Sequence, residues 1–110
     1  DGQAAQHVAH QGQEVLVDSQ HPQVTIGRAE DNDLAIKGNL ISRLHCRVEL
    51  NRDRFLLVDQ STNGTFVITR QGEELFVRRD SIPLAGEGVI ALGRVVQSGS
   101  AQAIHFIQED

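Results

Sequence analysis

Five polar side chains on three short segments of the chain could together bind an anion. Arg28 and Arg43 carry guanidinium groups, and Ser42 and Thr62 carry hydroxyls. Guanidinium and hydroxyl groups donate strong hydrogen bonds to phosphate oxygens. The amide of Asn63 can both donate to and accept from a peptide main chain. If the fold brings the three segments together, they form a phosphopeptide pocket.

The third segment lies in the stretch STNGTFV, residues 61–67, which has the pattern of a tight turn. Gly64 accepts a positive φ at no steric cost, and Asn63 tolerates one better than most residues. The polar side chains beside this glycine provide more donors and acceptors than a turn requires. We therefore expect the turn to shape a loop whose polar side chains bind a ligand.

Strands must position these segments, and the chain has the pattern of many short ones. Residues 44–50 are the clearest case, because apolar and polar side chains alternate along them. No window shows the sustained 3.6-residue apolar repeat of a helix. The predicted strands are 14–17, 24–26, 34–36, 44–50, 55–58, 65–69, 74–78, 88–92 and 101–106, with hairpin turns at 51–53, 71–72 and 86–88. This pattern predicts an all-β fold, an antiparallel β-sandwich with its recognition loops at one end.

Length and charge narrow the class of protein. The 110 residues suffice for one domain, and the net charge of −5 argues against nucleic acid or an anionic membrane as the main partner. No apolar run reaches the roughly 20 residues that span a bilayer, and no signal peptide is apparent. Cys46 is the single cysteine, so neither an internal disulfide nor a zinc cluster is expected. We expect a cytoplasmic domain, cut or processed from a longer protein because the chain lacks Met.

Positive charge is not concentrated in the middle of the sequence. Residues 28–63 contain six basic and six acidic side chains, whereas the rest of the chain contains four basic and nine acidic ones. An anion site in this middle segment must therefore depend on local geometry and not on bulk attraction.

Three short motifs occur in a familiar order: Gly27-Arg28, then Ser42-x-x-His45, then Thr62-Asn63-Gly64-Thr65. Together they resemble the forkhead-associated (FHA) domain, and the resemblance covers about residues 14–106. It implies a β-sandwich of about eleven strands that binds phosphothreonine in partner proteins, with no catalysis, cofactor or metal.

The resemblance also implies a role for each matching residue. Arg28 and Ser42 would contact the phosphate, Arg43 would contact the phosphate or the nearby peptide, and Thr62 would lie beside the phosphate. Asn63 would bond the peptide backbone. The remaining motif residues would hold the loops: Gly27, His45 and Gly64. Leu40 and Ile41 would favour an apolar peptide residue C-terminal to the phosphothreonine.

We therefore expect an FHA domain at residues 14–107, with tails at 1–13 and 108–110. Its function would be phosphothreonine-dependent binding of partner proteins, within a larger bacterial signalling protein. One alternative is an interaction domain that works without phosphorylation, through a sheet face or by self-association. A second is a hydrolase built on Ser42, His45 and Asp59, which we reject because the nucleophile elbow typical of such enzymes is missing.

Other polar clusters have simpler interpretations. Residues 30–33 lack the glycine and distal glutamate of a calcium loop, so they predict a solvated turn. His7, His10 and His21 are interpreted as polar residues and not as metal ligands. Cys46 lies on the apolar face of its predicted strand and is expected to be buried and inert.

Overall fold

Eleven strands and no α-helix form in the part of the chain that the computed structural model describes, residues 4–96 and 99–109. The strands are β1 (Ala5–His10), β2 (Gln13–Val17), β3 (Gln23–Gly27), β4 (Leu34–Ala35), β5 (Cys46–Asn51), β6 (Arg54–Asp59), β7 (Thr65–Thr69), β8 (Glu74–Val77), β9 (Ser81–Pro83), β10 (Glu87–Leu92) and β11 (Ile104–Glu109). No helix in these residues is long and apolar enough to cross a membrane.

The strands form two sheets, ordered β2-β1-β11-β10-β7-β8 and β4-β3-β5-β6-β9. Neighbouring strands pair antiparallel except β3 and β4, which are parallel. The predicted all-β antiparallel sandwich is therefore confirmed.

The core lies between the sheets and follows from the alternation of side chains along each strand. In β5, Cys46 and Val48 are fully buried, whereas Arg47 and Glu49 face outward. Phe106 on β11 joins the same cluster from the other sheet. Each fully buried side chain of this size contributes roughly 1.5–3 kcal/mol.

Two residues of the predicted alternation do not follow it, because Leu44 is exposed and His45, expected on the polar face, is fully buried. Leu44 is 42% exposed, and β5 begins only at Cys46. Residues 42–45 form a loop that runs beside β3. They precede the paired part of β5, so the alternation begins only after them.

Two strands were missed by the sequence analysis. β1 lies in the segment predicted as an N-terminal tail, where it pairs with both β2 and β11. Val8 is fully buried there, and the Gln6 side chain donates to the Leu84 carbonyl at 3.1 Å. The tail prediction for residues 5–13 is therefore wrong, and β11 likewise extends past residue 107 to Glu109. β9 is short, contains Pro83 and forms the edge of the second sheet.

The predicted hairpins are confirmed at two of the three turns. β5 and β6 pair across residues 51–53, and β7 and β8 pair across 71–72, where Gly72 has a φ of 92°. The third prediction is wrong, since β9 and β10 belong to different sheets. The chain at Gly86 therefore crosses from one sheet to the other.

Strand register brings the predicted recognition segments to one end of the sandwich. Ile26 near the end of β3 pairs with Cys46 at the start of β5, which pairs with Asp59 at the end of β6. In the other sheet, Thr65 at the start of β7 pairs with Val77 at the end of β8. The loops that follow or precede these residues share this end, as the sequence predicted.

Candidate functional site

The first two predicted segments lie side by side. The Arg28 amide donates to the Ser42 carbonyl at 2.9 Å, and the Ala29 amide donates to the Arg43 carbonyl at 3.1 Å. A Cβ atom on Gly27 would lie 2.2 Å from the Arg43 carbonyl oxygen. Gly27 is therefore required by close backbone approach, which places Arg28 beside Ser42.

The guanidinium of Arg28 is oriented by the same loop. Its Nε donates to the Ile41 carbonyl at 3.1 Å, while the residue is exposed overall. Both terminal NH₂ groups remain without a partner among the described residues. Arg43 is also exposed, and its guanidinium has no partner in that part of the chain. Two guanidinium groups are thus available to an anion.

Ser42 connects the second segment to the third. Its Oγ accepts a hydrogen bond from the Thr62 amide at 3.1 Å. Because the hydroxyl oxygen accepts in this contact, the hydroxyl hydrogen stays available for donation to a ligand. Thr62 is exposed, and its amide bond to the Ser42 Oγ places the two residues side by side.

Asn63 is anchored at one side of its amide. Nδ2 donates one hydrogen to the Leu40 carbonyl at 3.1 Å, and the residue is exposed. The second Nδ2 hydrogen and Oδ1 remain, which is the donor and acceptor pair that a peptide main chain requires. Of the two apolar residues expected to influence peptide preference, Leu40 is 40% exposed, whereas Ile41 is buried.

His45 is fully buried and connects the two loops from inside. Its Nδ1 accepts from the Ser42 amide at 3.0 Å, so the ring proton must lie on Nε2, which donates to the Gly64 carbonyl at 2.8 Å. Burial lowers the pKa of His45 below 6.5, although the Gly64 carbonyl and Asp59 oppose this shift. The neutral ring is the form that supports both bonds.

This geometry contradicts a hydrolase triad. His45 bonds the backbone amide of Ser42 and not its hydroxyl, and both ring nitrogens are occupied. The Asp59 carboxylate lies 3.9 Å from Nε2, on the side away from Ser42. Ser42 has no general base within this arrangement.

Asp59 is a buried carboxylate that holds the turn from below. Its oxygens accept from Ser61, from the Thr65 hydroxyl at 2.6 Å and from the Arg79 amide at 2.9 Å. Burial alone would raise the pKa of Asp59, but these hydrogen bonds outweigh it and hold the pKa below 3.8. Ser61 connects Asp59 to the turn, because its hydroxyl also accepts a hydrogen bond from the Gly64 amide at 2.7 Å.

Gly64 is needed for two reasons. Its φ of 88° is unfavourable for other residues, and a Cβ atom there would lie 2.4 Å from the ring of Phe76. The Phe76 ring also contacts Phe66, with 4.8 Å between centroids. The turn in STNGTFV is therefore packed against β8 as well as hydrogen-bonded to its neighbours.

Three positioning residues were missed by the sequence analysis. Arg78 Nε donates to the Thr62 carbonyl at 2.8 Å, and Arg79 Nε donates to the Ser61 carbonyl at 3.2 Å. Asn32 Nδ2 donates to the Arg43 carbonyl at 2.8 Å, so residues 30–33 are more than a solvated turn. Nothing in the motif spacing identifies these residues. Arg78 and Arg79 follow β8 and reach the site through the sheet order, and Asn32 reaches it through a loop contact with Arg43.

This end of the sandwich presents several guanidinium groups although the chain is acidic overall. Its exposed guanidinium groups are those of Arg28, Arg43, Arg78 and Arg79. The Asp59 carboxylate beneath the turn is buried and engaged by hydrogen bonds. This combination of guanidinium groups, hydroxyls and a side-chain amide suits a phosphorylated peptide.

Other candidates from the sequence lie elsewhere. Cys46 is fully buried, and desolvation raises the pKa of its thiol to about 12, so it stays protonated and unreactive. His7 lies on β1 between Glu109 and Glu14, whose hydrogen bonds raise its pKa. Within residues 4–96 and 99–109, no three metal-binding side chains converge.

The sequence and the fold are both similar to those of a known domain family. A family model for the FHA domain matches residues 24–93, more than half of the chain, whereas no curated protein matches. The Mycobacterium tuberculosis Rv1747 FHA-1 structure is 21% identical with a TM-score of 0.72, over 99% of this chain and 100% of that one.

Two further structures contain phosphorylated ligands. The MEK1 FHA domain in complex with a HOP1 phosphothreonine peptide is 24% identical with a TM-score of 0.70, over 96% of this chain and 97% of that one. Mycobacterium tuberculosis EmbR in complex with a low affinity phosphopeptide is 23% identical with a TM-score of 0.62, over 99% of this chain and 24% of that one. At these identities the likeness shows the fold alone.

Proposed function

This chain belongs to the FHA domain family, and on that premise we propose that it is a phosphothreonine-dependent module for binding partner proteins. The observation that supports this most strongly is the set of exposed side chains held at one end of the sandwich with unused hydrogen-bonding groups. Two structural neighbours bind phosphothreonine or phosphorylated peptides.

In this proposal the phosphate lies against Arg28, Ser42, Arg43 and Thr62. A phosphothreonine carries about −1.5 to −2 charges and three acceptor oxygens near pH 7. The terminal nitrogens of Arg28 and the hydroxyl of Ser42 would meet those oxygens, with Thr62 beside them. The exposed guanidinium of Arg43 adds charge without a fixed partner.

Asn63 would bind the peptide main chain through its free N–H and Oδ1. Gly27, His45 and Gly64 would serve the site by holding the loops. Of the apolar pair before Ser42, only Leu40 is exposed enough to contact the peptide, so it would carry the preference for an apolar residue C-terminal to the phosphothreonine.

The phosphate should dominate affinity, and the threonine methyl should add a smaller preference over phosphoserine. Removal of a well-buried interface arginine costs about 2–4 kcal/mol. A buried methyl group contributes roughly 0.8 kcal/mol, which is about fourfold in affinity.

The proposal extends to the context of the domain. We place it in a cytoplasmic bacterial signalling protein, non-catalytic in itself, with EmbR as a case in which a comparable domain is about a quarter of a longer chain. The lack of a base at Ser42 supports a binding role over hydrolysis. Because β1 is part of the sheet, we propose Ala5 and not Glu14 as the start of the domain.

A peptide library tests the proposal. Fluorescence anisotropy compares each peptide in its phosphothreonine, phosphoserine and unphosphorylated forms. We expect binding to phosphothreonine peptides, severalfold weaker binding to phosphoserine and none to the unphosphorylated forms. Equal binding of phosphorylated and unphosphorylated peptides would favour the phosphorylation-independent alternative.

A further inference from the structure

The outer face of the six-stranded sheet carries a continuous row of side chains from one edge strand to the other. Paired residues run from β2 across β1, β11, β10 and β7 to β8. In that order, the row is Glu14, Ala9, His105, Val89, Ile68 and Glu74. Its middle is apolar at Ala9, Val89 and Ile68 and carries the exposed imidazole of His105 between them, and a carboxylate lies at each edge of the sheet.

Apolar side chains are concentrated on this face. Among the described residues, four of the six large exposed hydrophobic side chains lie on it or beside it. They are Leu16, Phe76, Val95 and Ile107. Two of them, Val95 and Ile107, line an open groove of about 1020 Å³ together with Ile68 and Val89, while Leu16 and Phe76 lie outside its lining. Apolar surface gathered in one place and bordered by polar groups is typical of a protein-binding surface.

The border of the groove is acidic. Glu14, Glu74 and Glu87 line it, and Glu109 adjoins it through His7. The basic groups of the described lining are Arg70, which is bonded to Glu87 at 3.0 Å, and the imidazoles of His7 and His105, of which His7 is bonded to Glu14 at 2.6 Å. Carboxylates still outnumber cations there, and Glu74 has no side-chain partner among the described residues. The charge on this face is thus opposite to that at the recognition end.

We propose that this face binds a cationic amphipathic helix of a partner protein, independently of phosphothreonine. Apolar side chains of the helix would cover Ile68, Val89 and Ile107, while a lysine or arginine would meet the unpaired carboxylate of Glu74. Opposite charge at the border is the observation that selects a basic partner.

The sheet itself favours a helix over an extended segment. A sheet face offers side chains to a partner, because its strands use their backbone groups to pair with each other in the plane of the sheet. A helix satisfies its own backbone hydrogen bonds and needs only side-chain contacts. Six strands spaced about 4.8 Å apart span about 24 Å, the length of a helix of about 16 residues.

A second copy of the chain fits this surface less well. Two copies packed through the same face would bring like carboxylates together, which opposes association. The described part of the chain also contains no helix that could occupy the groove. A separate basic partner is therefore the occupant that the surface chemistry selects.

The test is an NMR titration of the domain with a synthetic 16-residue peptide that has leucine and lysine at helical spacing. We expect amide shifts on β1, β11, β10 and β7, and none when glutamate replaces lysine in the peptide. Glu74→Lys should weaken binding about fivefold or more. The matched control Asp53→Lys, in the exposed turn at the opposite end of β5, should leave affinity unchanged.

Two further results separate this inference from the proposed function. Arg28→Ala should weaken binding of a phosphothreonine peptide and leave binding of the lysine peptide unchanged, because the two ligands are proposed to bind different surfaces. Shifts confined to the loops, or equal effects of Glu74→Lys and Asp53→Lys, would overturn the inference. So would sedimentation equilibrium showing a dimer that the peptide disrupts, because a second copy would then occupy the face.

Discussion

Arg28 is oriented by the protein before any ligand arrives, because its Nε donates to the Ile41 carbonyl. Such preorganisation reduces the side-chain entropy that binding would otherwise remove. Ser42 is prepared in the same way, since its oxygen accepts from the Thr62 amide and its hydroxyl donates to no group in the described part of the chain. At the scale of single residues, the site is a set of half-used hydrogen-bonding groups.

Gly64→Ala tests whether the turn is fixed by packing as well as by backbone conformation. The substitution meets a φ of 88° and the Phe76 ring at 2.4 Å, so we expect a loss of about 3 kcal/mol or more in the free energy of unfolding. Urea denaturation measures it.

Gly72→Ala is the matched control for Gly64→Ala. Gly72 has a φ of 92°, but nothing lies within 4 Å of an added Cβ, so only the conformational cost of roughly 1–2 kcal/mol applies. If both variants lose the same free energy, contact with Phe76 does not constrain the turn. Truncation of Phe76 to Ala should restore part of the loss in Gly64→Ala.

Some of these residues could be predicted from sequence and others could not. An Asn-Gly step between β-forming residues marks a tight turn wherever it occurs, so Gly64 was predictable. Asn32 and Arg78 act through carbonyl groups that are 11 and 16 residues away in the chain. No local pattern encodes such contacts, since they depend on which strands become neighbours.

At the scale of elements, His45 links the Ser42 loop to the Gly64 turn through one hydrogen bond at each ring nitrogen. Protonation of Nδ1 would abolish its bond from the Ser42 amide and place a charge in a buried site. The folded protein therefore resists protonation of His45, which links the stability of the loops to pH.

We expect the free energy of unfolding to fall as the pH drops below 6.5, the ordinary pKa of histidine. The folded pKa of His45 is lowered, so in this range the unfolded chain binds a proton that the folded chain does not. His7 acts in a different window. Its folded pKa is raised, so its contribution is complete below 6.5 and is lost as the pH rises through the folded value.

Denaturation between pH 8 and pH 5 separates the two histidines. A His7→Gln variant should remove the change above pH 6.5 and keep the decline below it. If the free energy of unfolding of His45→Gln still falls by the same amount below pH 6.5, His45 does not link the stability of the loops to pH. Asp59 adds a further loss only below about pH 3.8, because its folded pKa is lowered.

Removal of β1 should destabilise the whole domain. A chain shortened to begin at Glu14 should lose its cooperative unfolding transition, because β1 lies between β2 and β11 and contributes Val8 to the core. Thermal unfolding followed by circular dichroism tests this. Ala9→Ser, on the outward face of the same strand, should change the free energy of unfolding by about 0.5 kcal/mol or less. A shortened chain that unfolds like the full one would contradict the account.

β1 and β9 also show where prediction from the sequence stops. The clear strands had alternating apolar side chains, whereas β1 reads AQHVAH and buries a glutamine. Its main partner, β11, lies about 100 residues away, so its pairing is decided by tertiary structure. β9 has three residues and a proline, which is compatible with an edge strand but does not identify one.

For the whole molecule, charge is divided between two surfaces. The recognition end presents guanidinium groups, while the outer face of the six-stranded sheet presents carboxylates around apolar side chains. The net charge of −5 hides this division, because it sums over both. An acidic protein can therefore carry a site for a phosphate anion when the fold collects its arginines at one end.

The measurement that tests the central claim most directly is a double-mutant cycle between Arg28 and the phosphate. Affinities of the unaltered domain and of Arg28→Ala are measured for one peptide with and without its phosphate, with Arg54→Ala as the control at the opposite end. We predict that Arg28→Ala weakens binding of the phosphorylated peptide about 30-fold or more and leaves residual binding of the unphosphorylated peptide unchanged. Equal weakening for both peptides, or none for either, would contradict the assignment of Arg28 to the phosphate.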